Sequence, residues 1–310
     1  MKPLPQTPER LLRRLEWTVL QRLDGLLQGN YRSHFRGAGL DLADIREYQD
    51  HDDVRHIDWN VTARLQTPHV RQYLEDREVA VWFLLDLSPS MDFGSGARSK
   101  RARLEEFVTL LAQLFSGQGN RVGAIIYSGK LDAVIKPATG RRHLLDLINR
   151  IMRHPVLPVA PSTRLAELVA TANRVAQRRS VIFLVSDFIS APGWEKPLGM
   201  LGQRHETTAV RLIDPLETRL PDLGLITMQD SESGEQLLVD THDAGFRRRF
   251  EQLVREQDDA LIDRLVRSGT DVLELGTDDD LLHTLLRYIR MRQGRPVGTG
   301  TTDTTLEVAA

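Results

Sequence analysis

The chain of 310 residues carries 41 Lys and Arg against 43 Asp and Glu, a net charge of −2, and it contains no cysteine. This length is enough for one large domain with additions or for two domains, and the balanced charge gives no general attraction to nucleic acid or anionic membranes. Without cysteine there is no disulfide framework, thiolate zinc site, iron–sulfur cluster or cysteine nucleophile, so any metal must be bound by oxygen or imidazole ligands.

The first 77 residues are predicted to form an N-terminal helix and an irregular segment that wraps a neighbouring domain. Leucines recur at helical spacing within residues 1–29, which lack the continuous apolar run of a signal peptide or a membrane span. Residues 31–77 are polar, with strand-like pieces around 45–48 and 69–74. Because we find no targeting signal and no transmembrane segment, we expect a cytoplasmic protein.

Residues 50–58 concentrate acidic and imidazole side chains that could form a second metal site or a hydrolytic carboxylate pair. These are Asp50, Asp52, Asp53 and Asp58 with His51 and His56, and they are interleaved with Arg46, Arg55 and Arg64. Because Arg pairs bidentately with carboxylates, we predict structural ion pairs that pin this segment. Trp59 is predicted to be a packing anchor rather than a platform for stacking.

From residue 79 onward the sequence alternates between apolar runs and helical patterns. The predicted strands are 79–86, 121–127, 180–187 and 208–214, and the predicted helices are 99–115, 142–152, 163–176 and 194–201. The order strand, helix, strand is typical of a parallel sheet with crossover helices. The apolarity of these strands is continuous rather than alternating, which indicates that both faces of the sheet are covered.

The C-terminal part adds a hairpin and two helices to this pattern. The predictions are strands over 225–230 and 236–241, a helix over 244–267, a strand over 271–275, a helix over 280–292 and a disordered tail over 294–310. We therefore predict an α/β fold with a mostly parallel sheet and helices on both faces over residues 78–293.

The long C-terminal helix is predicted to carry a basic face that is exposed to solvent. It comprises Arg247, Arg248, Arg249 and Arg255, and it is balanced by Glu251, Glu256, Asp258 and Asp259. No aromatic side chain interrupts the run Arg247 to Arg249, which argues against nucleic acid as a partner.

Two of the apolar strands end in an aspartate, Asp86 and Asp187. The carboxyl ends of parallel strands lie at one edge of a sheet, where α/β proteins bind their ligands. In the loop after the first strand, Asp86, Ser88 and Ser90 alternate and can present a carboxylate and two hydroxyls to one centre, and Thr163 begins a later helix. Singly, each residue is typical of a turn or a helix cap, but together they form an all-oxygen set that suits Mg²⁺.

This arrangement resembles the metal-ion-dependent adhesion site of von Willebrand factor A domains. The resemblance implies that Asp86, Ser88, Ser90, Thr163 and Asp187 surround Mg²⁺ or Mn²⁺. In that family the later aspartate often acts through a water molecule, and the ion accepts a further carboxylate from a partner protein. The metal is then a bridge between two proteins rather than a catalyst.

A second resemblance covers residues 31–292 and rests on the segment GAGLDLADIREYQDHDDVRHIDWNVTAR over 37–64, on DLSPSM and on Asp214-Pro215-Leu216-Glu217. It is to the bacterial domain of unknown function 58, von Willebrand factor A-like proteins usually encoded beside MoxR-type AAA+ ATPases. The resemblance implies a non-catalytic, Mg²⁺-dependent adaptor for such an ATPase, acting in remodelling or maturation of client complexes. The clients would present a carboxylate to the metal.

The alternative is a Mg²⁺-dependent phosphotransferase or hydrolase of the haloacid dehalogenase type, with Asp86 as the nucleophile. Such enzymes use a second aspartate two residues later as the acid, and that position is Ser88 here. No proton donor is left, so we predict a binding protein and not an enzyme. Residues 94–100 contain glycines and a lysine but lack the GxxxxGK[ST] spacing of a phosphate-binding loop, and we interpret them as a flexible linker.

Overall fold

The computed structural model describes residues 36–49, 52, 54, 57–76, 79–157, 162–229 and 234–293. The predicted N-terminal helix and the predicted tail over 294–310 lie outside these residues, as do Asp50, His51, Asp53, Arg55 and His56. The division of the chain into residues 1–77, 78–293 and 294–310 stays a prediction.

The described residues form strands and helices in alternation. The strands are β1 (Arg36–Glu47), β2 (His69–Asp76), β3 (Ala80–Asp86), β4 (Arg121–Tyr127), β5 (Leu131–Ala138), β6 (Ser180–Ser186), β7 (Glu206–Ile213), β8 (Leu225–Gln229), β9 (Gln236–Asp240) and β10 (Asp271–Gly276). The helices are α1 (Trp59–Leu65), α2 (Lys100–Gly117), α3 (Arg141–Met152), α4 (Leu165–Val175), α5 (Glu195–Arg204), α6 (Pro215–Thr218), α7 (Ala244–Arg267) and α8 (Leu281–Gln293).

A six-stranded sheet forms the centre of the fold, in the order β10-β7-β6-β3-β4-β5. Its first five strands are parallel, and β5 runs antiparallel to β4 at the edge. The strand order reverses at β3 and β6, so the crevice at their carboxyl ends is the expected place for a ligand. The predicted fold class, α/β with a mostly parallel sheet, is confirmed.

Helices cover both faces of this sheet and form two separate hydrophobic cores. On one face α2, α3 and α8 pack against side chains such as Phe83 and Phe183, whose rings stack 5.5 Å apart. On the other face α4, α5 and α7 pack against Trp82 and Leu84. Successive residues of β3 thus alternate between two apolar layers, which explains why its whole sequence is hydrophobic.

Strand β5 is the element of the sheet that the hydrophobic pattern does not predict. Only one face of an edge strand is covered, so its residues alternate between half-buried and exposed positions. It also contains Pro137, which lacks the N–H of an interior strand and is tolerated at an edge. Beside it, a Cβ atom on Gly123 of β4 would lie 2.6 Å from the carbonyl oxygen of Ile135, so glycine is required for the close approach of the two strands.

The part before β3 is more regular than predicted. The strand-like pieces belong to β1 and β2, which form a separate antiparallel ribbon, and α1 lies between them in sequence. Asp58 caps α1 by accepting hydrogen bonds from the backbone N–H groups of Asn60 and Val61. Arg46 and Asp52 form a bidentate ion pair with both distances at 2.7 Å, as predicted for this segment. The packing role predicted for Trp59 is wrong, because its side chain is 70% exposed.

The predicted hairpin, long helix and final helix correspond to β8 with β9, to α7 and to α8. None of the helices in the described part of the chain combines the length and the apolar character needed to cross a bilayer.

Candidate metal centre

The loop after β3 turns sharply and places two serine hydroxyls side by side. The carboxylate of Asp86 accepts a hydrogen bond of 3.0 Å from the backbone N–H of Ser88, which starts the turn. Pro89 opens a short 3₁₀ helix, Pro89–Asp92, which brings the Oγ atom of Ser90 to 3.1 Å from that of Ser88. All three predicted ligands of this loop are buried.

The end of β6 is tied to the same carboxylate through Ser186. The Ser186 hydroxyl donates to Asp86 Oδ2 at 2.6 Å and accepts from the backbone N–H of Phe188 at 2.9 Å. Asp187 follows directly and accepts a hydrogen bond of 3.0 Å from the N–H of Ile189 on its Oδ1 atom. The carboxyl ends of β3 and β6 therefore form one polar cluster, as the sequence predicts.

Thr163 lies on this edge, in the loop that precedes α4, and its side chain is fully buried. Its carbonyl oxygen accepts hydrogen bonds from the Ser190 hydroxyl at 2.9 Å and the Ala191 N–H at 2.8 Å. The next residue, Arg164, donates its N–H to the Tyr127 hydroxyl at 2.9 Å. These contacts attach the Thr163 loop to the end of β4 and to the loop after β6.

Lys100 is a member of this cluster that the sequence analysis missed. It is the first residue of α2 and is completely buried, with its Nζ atom 2.7 Å from Asp187 Oδ2 and 2.5 Å from Glu217 Oε1. Burial alone would lower the pKa of Lys100, but attraction to Asp187 and Glu217 outweighs it, so the pKa is raised and the amine stays charged. The one sequence signal for Lys100 is its position at the start of a predicted helix, directly after a glycine-rich loop.

The segment before Lys100 is anchored and is not a free linker. The N–H of Ser95 donates to Asp214 Oδ2 at 2.9 Å, which fixes the loop to the end of β7. A Cβ atom on Gly94 would lie 2.5 Å from the Arg98 carbonyl oxygen, so the loop also folds tightly on itself. The interpretation of residues 94–100 as a flexible linker is corrected accordingly.

The Asp-Pro-Leu-Glu sequence after β7 forms a capping box that serves the same cluster. Asp214 caps α6 by accepting from the Leu216 N–H, while the Glu217 carboxylate accepts from the Asp214 N–H at 2.9 Å. Asp214 also accepts from the Thr277 hydroxyl at 2.9 Å, at the end of β10. Glu217 is thereby held in the position from which it contacts Lys100.

The surroundings of Asp86 disfavour its ionised form. Burial raises the pKa of Asp86 to about 6, and repulsion from Asp187 adds to this, while hydrogen bonds from Ser186 and Ser88 oppose it. A buried carboxylate with a raised pKa is stabilised by a nearby cation. Lys100 does not provide this for Asp86, since its two ion pairs are with Asp187 and Glu217.

The donor set fits a hard divalent cation. Two adjacent ligands in an octahedral Mg²⁺ shell, with bonds of about 2.1 Å, lie about 3.0 Å apart. The 3.1 Å between the hydroxyls of Ser88 and Ser90 matches that spacing, and the Asp86 carboxylate lies in the same turn. Among the described residues no group of three or more Asp, Glu, His or Cys side chains is placed to bind a metal, so any such site depends on the hydroxyls.

The structure thus brings Asp86, Ser88 and Ser90 into one hydrogen-bonded turn and links Asp187 to it through Ser186. Thr163 is placed at the same edge through the backbone contacts of its loop. Metal binding by these five residues stays a prediction.

The sequence matches a family model described as "Protein of unknown function DUF58" over residues 44–260. Relatives include "Uncharacterized protein Rv1480" of Mycobacterium tuberculosis (strain H37Rv) and "Uncharacterized protein Mb1516" of Mycobacterium bovis. Each is 36% identical over 283 residues, which cover 91% of this chain and 89% of the relative.

Two similar solved structures are BatB from Bacteroides thetaiotaomicron and the VWA domain of SpRpn10. The first has a TM-score of 0.45 and 14% sequence identity, covering 69% of this chain and 98% of BatB. The second has a TM-score of 0.37 and 12% identity, covering 73% of this chain and all of the SpRpn10 domain.

Proposed function

The chain belongs to the DUF58 family, and from the geometry of its own site we propose that it is a non-catalytic protein-interaction module that binds Mg²⁺ or Mn²⁺ at Asp86, Ser88, Ser90, Thr163 and Asp187. The observation that carries this proposal is the turn in which the hydroxyls of Ser88 and Ser90 lie 3.1 Å apart beside a buried carboxylate. The bound ion keeps coordination positions for water, and a carboxylate of the partner replaces one of these waters.

The surroundings of Asp86 favour binding over catalysis. A nucleophilic aspartate must reach a substrate with a free oxygen. Here the side chain is fully buried, and both of its oxygens accept hydrogen bonds, from the Ser88 N–H and the Ser186 hydroxyl. The position two residues later is a serine, which is not an acid. These features count against the haloacid dehalogenase alternative.

We further propose that the partner is a MoxR-type AAA+ ATPase and that the carboxylate comes from the ATPase or from its client. This part of the proposal is supported by the family resemblance alone. On this proposal the protein acts as an adaptor in remodelling or maturation of client complexes.

The test is a capture experiment with the full chain and the MoxR-type ATPase of the same organism, in Mg²⁺ and in EDTA. We expect capture in Mg²⁺, loss of capture in EDTA and loss in an Asp86→Ala variant. Asp259→Ala is the matched control, because Asp259 is an exposed aspartate on α7, far in sequence from the metal loop. Its capture should equal that of the unchanged protein.

The same samples are assayed for phosphatase activity. Capture that is equal in Mg²⁺ and EDTA and insensitive to Asp86→Ala would contradict the bridging role of the metal. Turnover that disappears in Asp86→Ala but persists in Asp259→Ala would instead support the enzyme.

A further inference from the structure

The position of Lys100 is electrostatically unfavourable in two ways. It occupies the first position of α2, an 18-residue helix, where the helix dipole favours acidic and not basic side chains. It is also completely buried, which penalises the charge of an ammonium group. The two carboxylates that it contacts, Asp187 and Glu217, are what compensate for both costs.

Lys100 also changes what Asp187 can offer to a cation. The Oδ2 atom of Asp187 is 2.7 Å from the ammonium group, and its Oδ1 atom accepts the N–H of Ile189. The charge of this carboxylate is therefore already partly compensated, and the neighbouring ammonium group weakens its attraction for a divalent ion. Asp86 lies in the same turn as the two serine hydroxyls, and among the described residues it forms no ion pair.

We propose that Lys100 sets the cation affinity of this site by neutralising Asp187, so that the metal is held weakly until a carboxylate from a partner completes its shell. This inference rests on the proposed metal-binding function and adds to it a residue outside the predicted ligand set. Glu217 acts in the opposite direction, because it draws part of the lysine charge away from Asp187. The affinity of the isolated protein for the ion is thereby kept low, and cation and partner bind cooperatively.

The first test measures the Mn²⁺ affinity of the full chain by isothermal titration calorimetry, in the absence of any partner. Removing one positive charge next to a divalent ion in a poorly solvated site should strengthen binding by about 10-fold or more in Lys100→Met. Lys100→Arg keeps the charge, and its affinity should stay close to that of the unchanged protein. Glu217→Gln should weaken binding, since the lysine charge is then concentrated on Asp187.

Thermal unfolding in EDTA and in Mn²⁺ provides the second readout. Lys100→Met leaves the buried carboxylate of Asp187 and the half-buried carboxylate of Glu217 without their cation. The variant should therefore unfold at a lower temperature than the unchanged protein in EDTA, and Mn²⁺ should raise its unfolding temperature by more. A merely structural role would lower the stability without raising the affinity. If Lys100→Met does not fold, the double variant Lys100→Met with Glu217→Gln is titrated in its place. The second substitution removes one of the two carboxylate charges that Lys100 no longer neutralises.

An unchanged or lower Mn²⁺ affinity in Lys100→Met would overturn the role of Lys100 while leaving the metal site intact. If neither the unchanged protein nor any variant binds Mn²⁺, the proposed metal site fails and this inference fails with it. The two failures are distinguished by whether Mn²⁺ binds to the unchanged protein or to any of the variants.

Discussion

Backbone strain is located beside the candidate metal centre, at Phe188. This residue has a φ of 61°, in the left-handed region that costs a bulky side chain about 1–2 kcal/mol. Its ring packs on Trp194 with the centroids 5.7 Å apart, and its N–H is bonded to Ser186. The buried ring offsets the strain, and the turn reverses the chain directly after Asp187. The Asp187 carboxylate itself is held by the Ile189 N–H and the Lys100 ammonium group.

At the residue scale we predict that Asp86→Asn stabilises the metal-free protein. Because burial raises the pKa of Asp86 to about 6, its ionised form is disfavoured at pH 7.5, and the neutral amide should raise the free energy of unfolding by about 1–3 kcal/mol. The measurement is urea unfolding in EDTA. Asp259→Asn, at an exposed position, should change it by less than about 0.5 kcal/mol. A less stable Asp86→Asn protein would refute this interpretation of the buried carboxylate.

The residues of the metal loop could be predicted from the sequence because their contacts are local. Asp86, Ser88 and Ser90 are spaced by two, and the carboxylate, hydroxyl and amide contacts within one turn follow from that spacing. Lys100 could not be predicted in the same way. Its partners Asp187 and Glu217 are 87 and 117 residues away, and only the folded sheet brings them together.

At the element scale, the strands covered on both faces were predictable and the edge strand was not. Continuous apolar runs identify β3, β4, β6 and β7, whereas the mixed sequence of β5 resembles a loop. The hydrophobic pattern does not predict the short helix α6 either. Its sequence signal is local, because Asp214 and Glu217 on either side of a proline are a recognised helix start.

The contact between β4 and β5 predicts a large cost for Gly123→Ala. The new methyl group would lie 2.6 Å from the Ile135 carbonyl oxygen and 2.7 Å from the Pro137 nitrogen, both backbone atoms, so β5 must shift. We expect a loss of about 1–3 kcal/mol in the free energy of unfolding by urea. The matched control is Gly117→Ala in α2, where a methyl group meets no atom within 4 Å.

Gly117→Ala should be neutral or stabilising by up to about 0.5–1 kcal/mol, because alanine favours the helix. Equal effects of the two alanines would show that the edge strand accommodates the added methyl group without loss.

At the scale of the whole molecule, the two ends of the sheet differ in character. The carboxyl ends of β3, β6, β7 and β10 are joined by hydrogen bonds and ion pairs, from Ser88 to Thr277. At the opposite end, His205 precedes β7 and is buried, and both of its ring nitrogens lack a hydrogen-bond partner in the described part of the chain. One end holds the buried ion pair of Lys100 and Asp187, and the other contains a buried histidine whose charged form is disfavoured.

His205 predicts how the stability of the molecule depends on pH. Burial lowers the pKa of His205 from 6.5 to about 4, and the charge of Arg204 contributes. A contact with the Ala176 backbone, whose geometry is too poor for a hydrogen bond, opposes the shift. The unfolded histidine therefore binds a proton at a higher pH than the folded one, so stability is retained above pH 6.5 and is lost as the pH falls towards 4. At pH 5 the loss should be about 2 kcal/mol.

The check is urea unfolding of the unchanged protein and of His205→Phe at pH 7.5 and pH 5. The phenylalanine ring has a similar shape and cannot be protonated, so the variant should not lose the stability that protonation of His205 costs. Between pH 7.5 and pH 5 its free energy of unfolding should fall by about 2 kcal/mol less than that of the unchanged protein. His143→Phe serves as the comparison, because one ring nitrogen of that half-buried histidine lies 2.8 Å from the Val122 carbonyl oxygen. If His143→Phe reduced the loss of stability at pH 5 by the same amount, His205 would not be the cause of that loss.

The proline and the mixed charges of β5 have a further consequence for how molecules of this protein meet in solution. An open sheet edge exposes unpaired N–H and C=O groups that can template pairing with a second chain. Pro137 removes one donor from this edge, and Lys130, Asp132 and Lys136 place charges on or beside it. These features discourage edge-to-edge aggregation of the sheet.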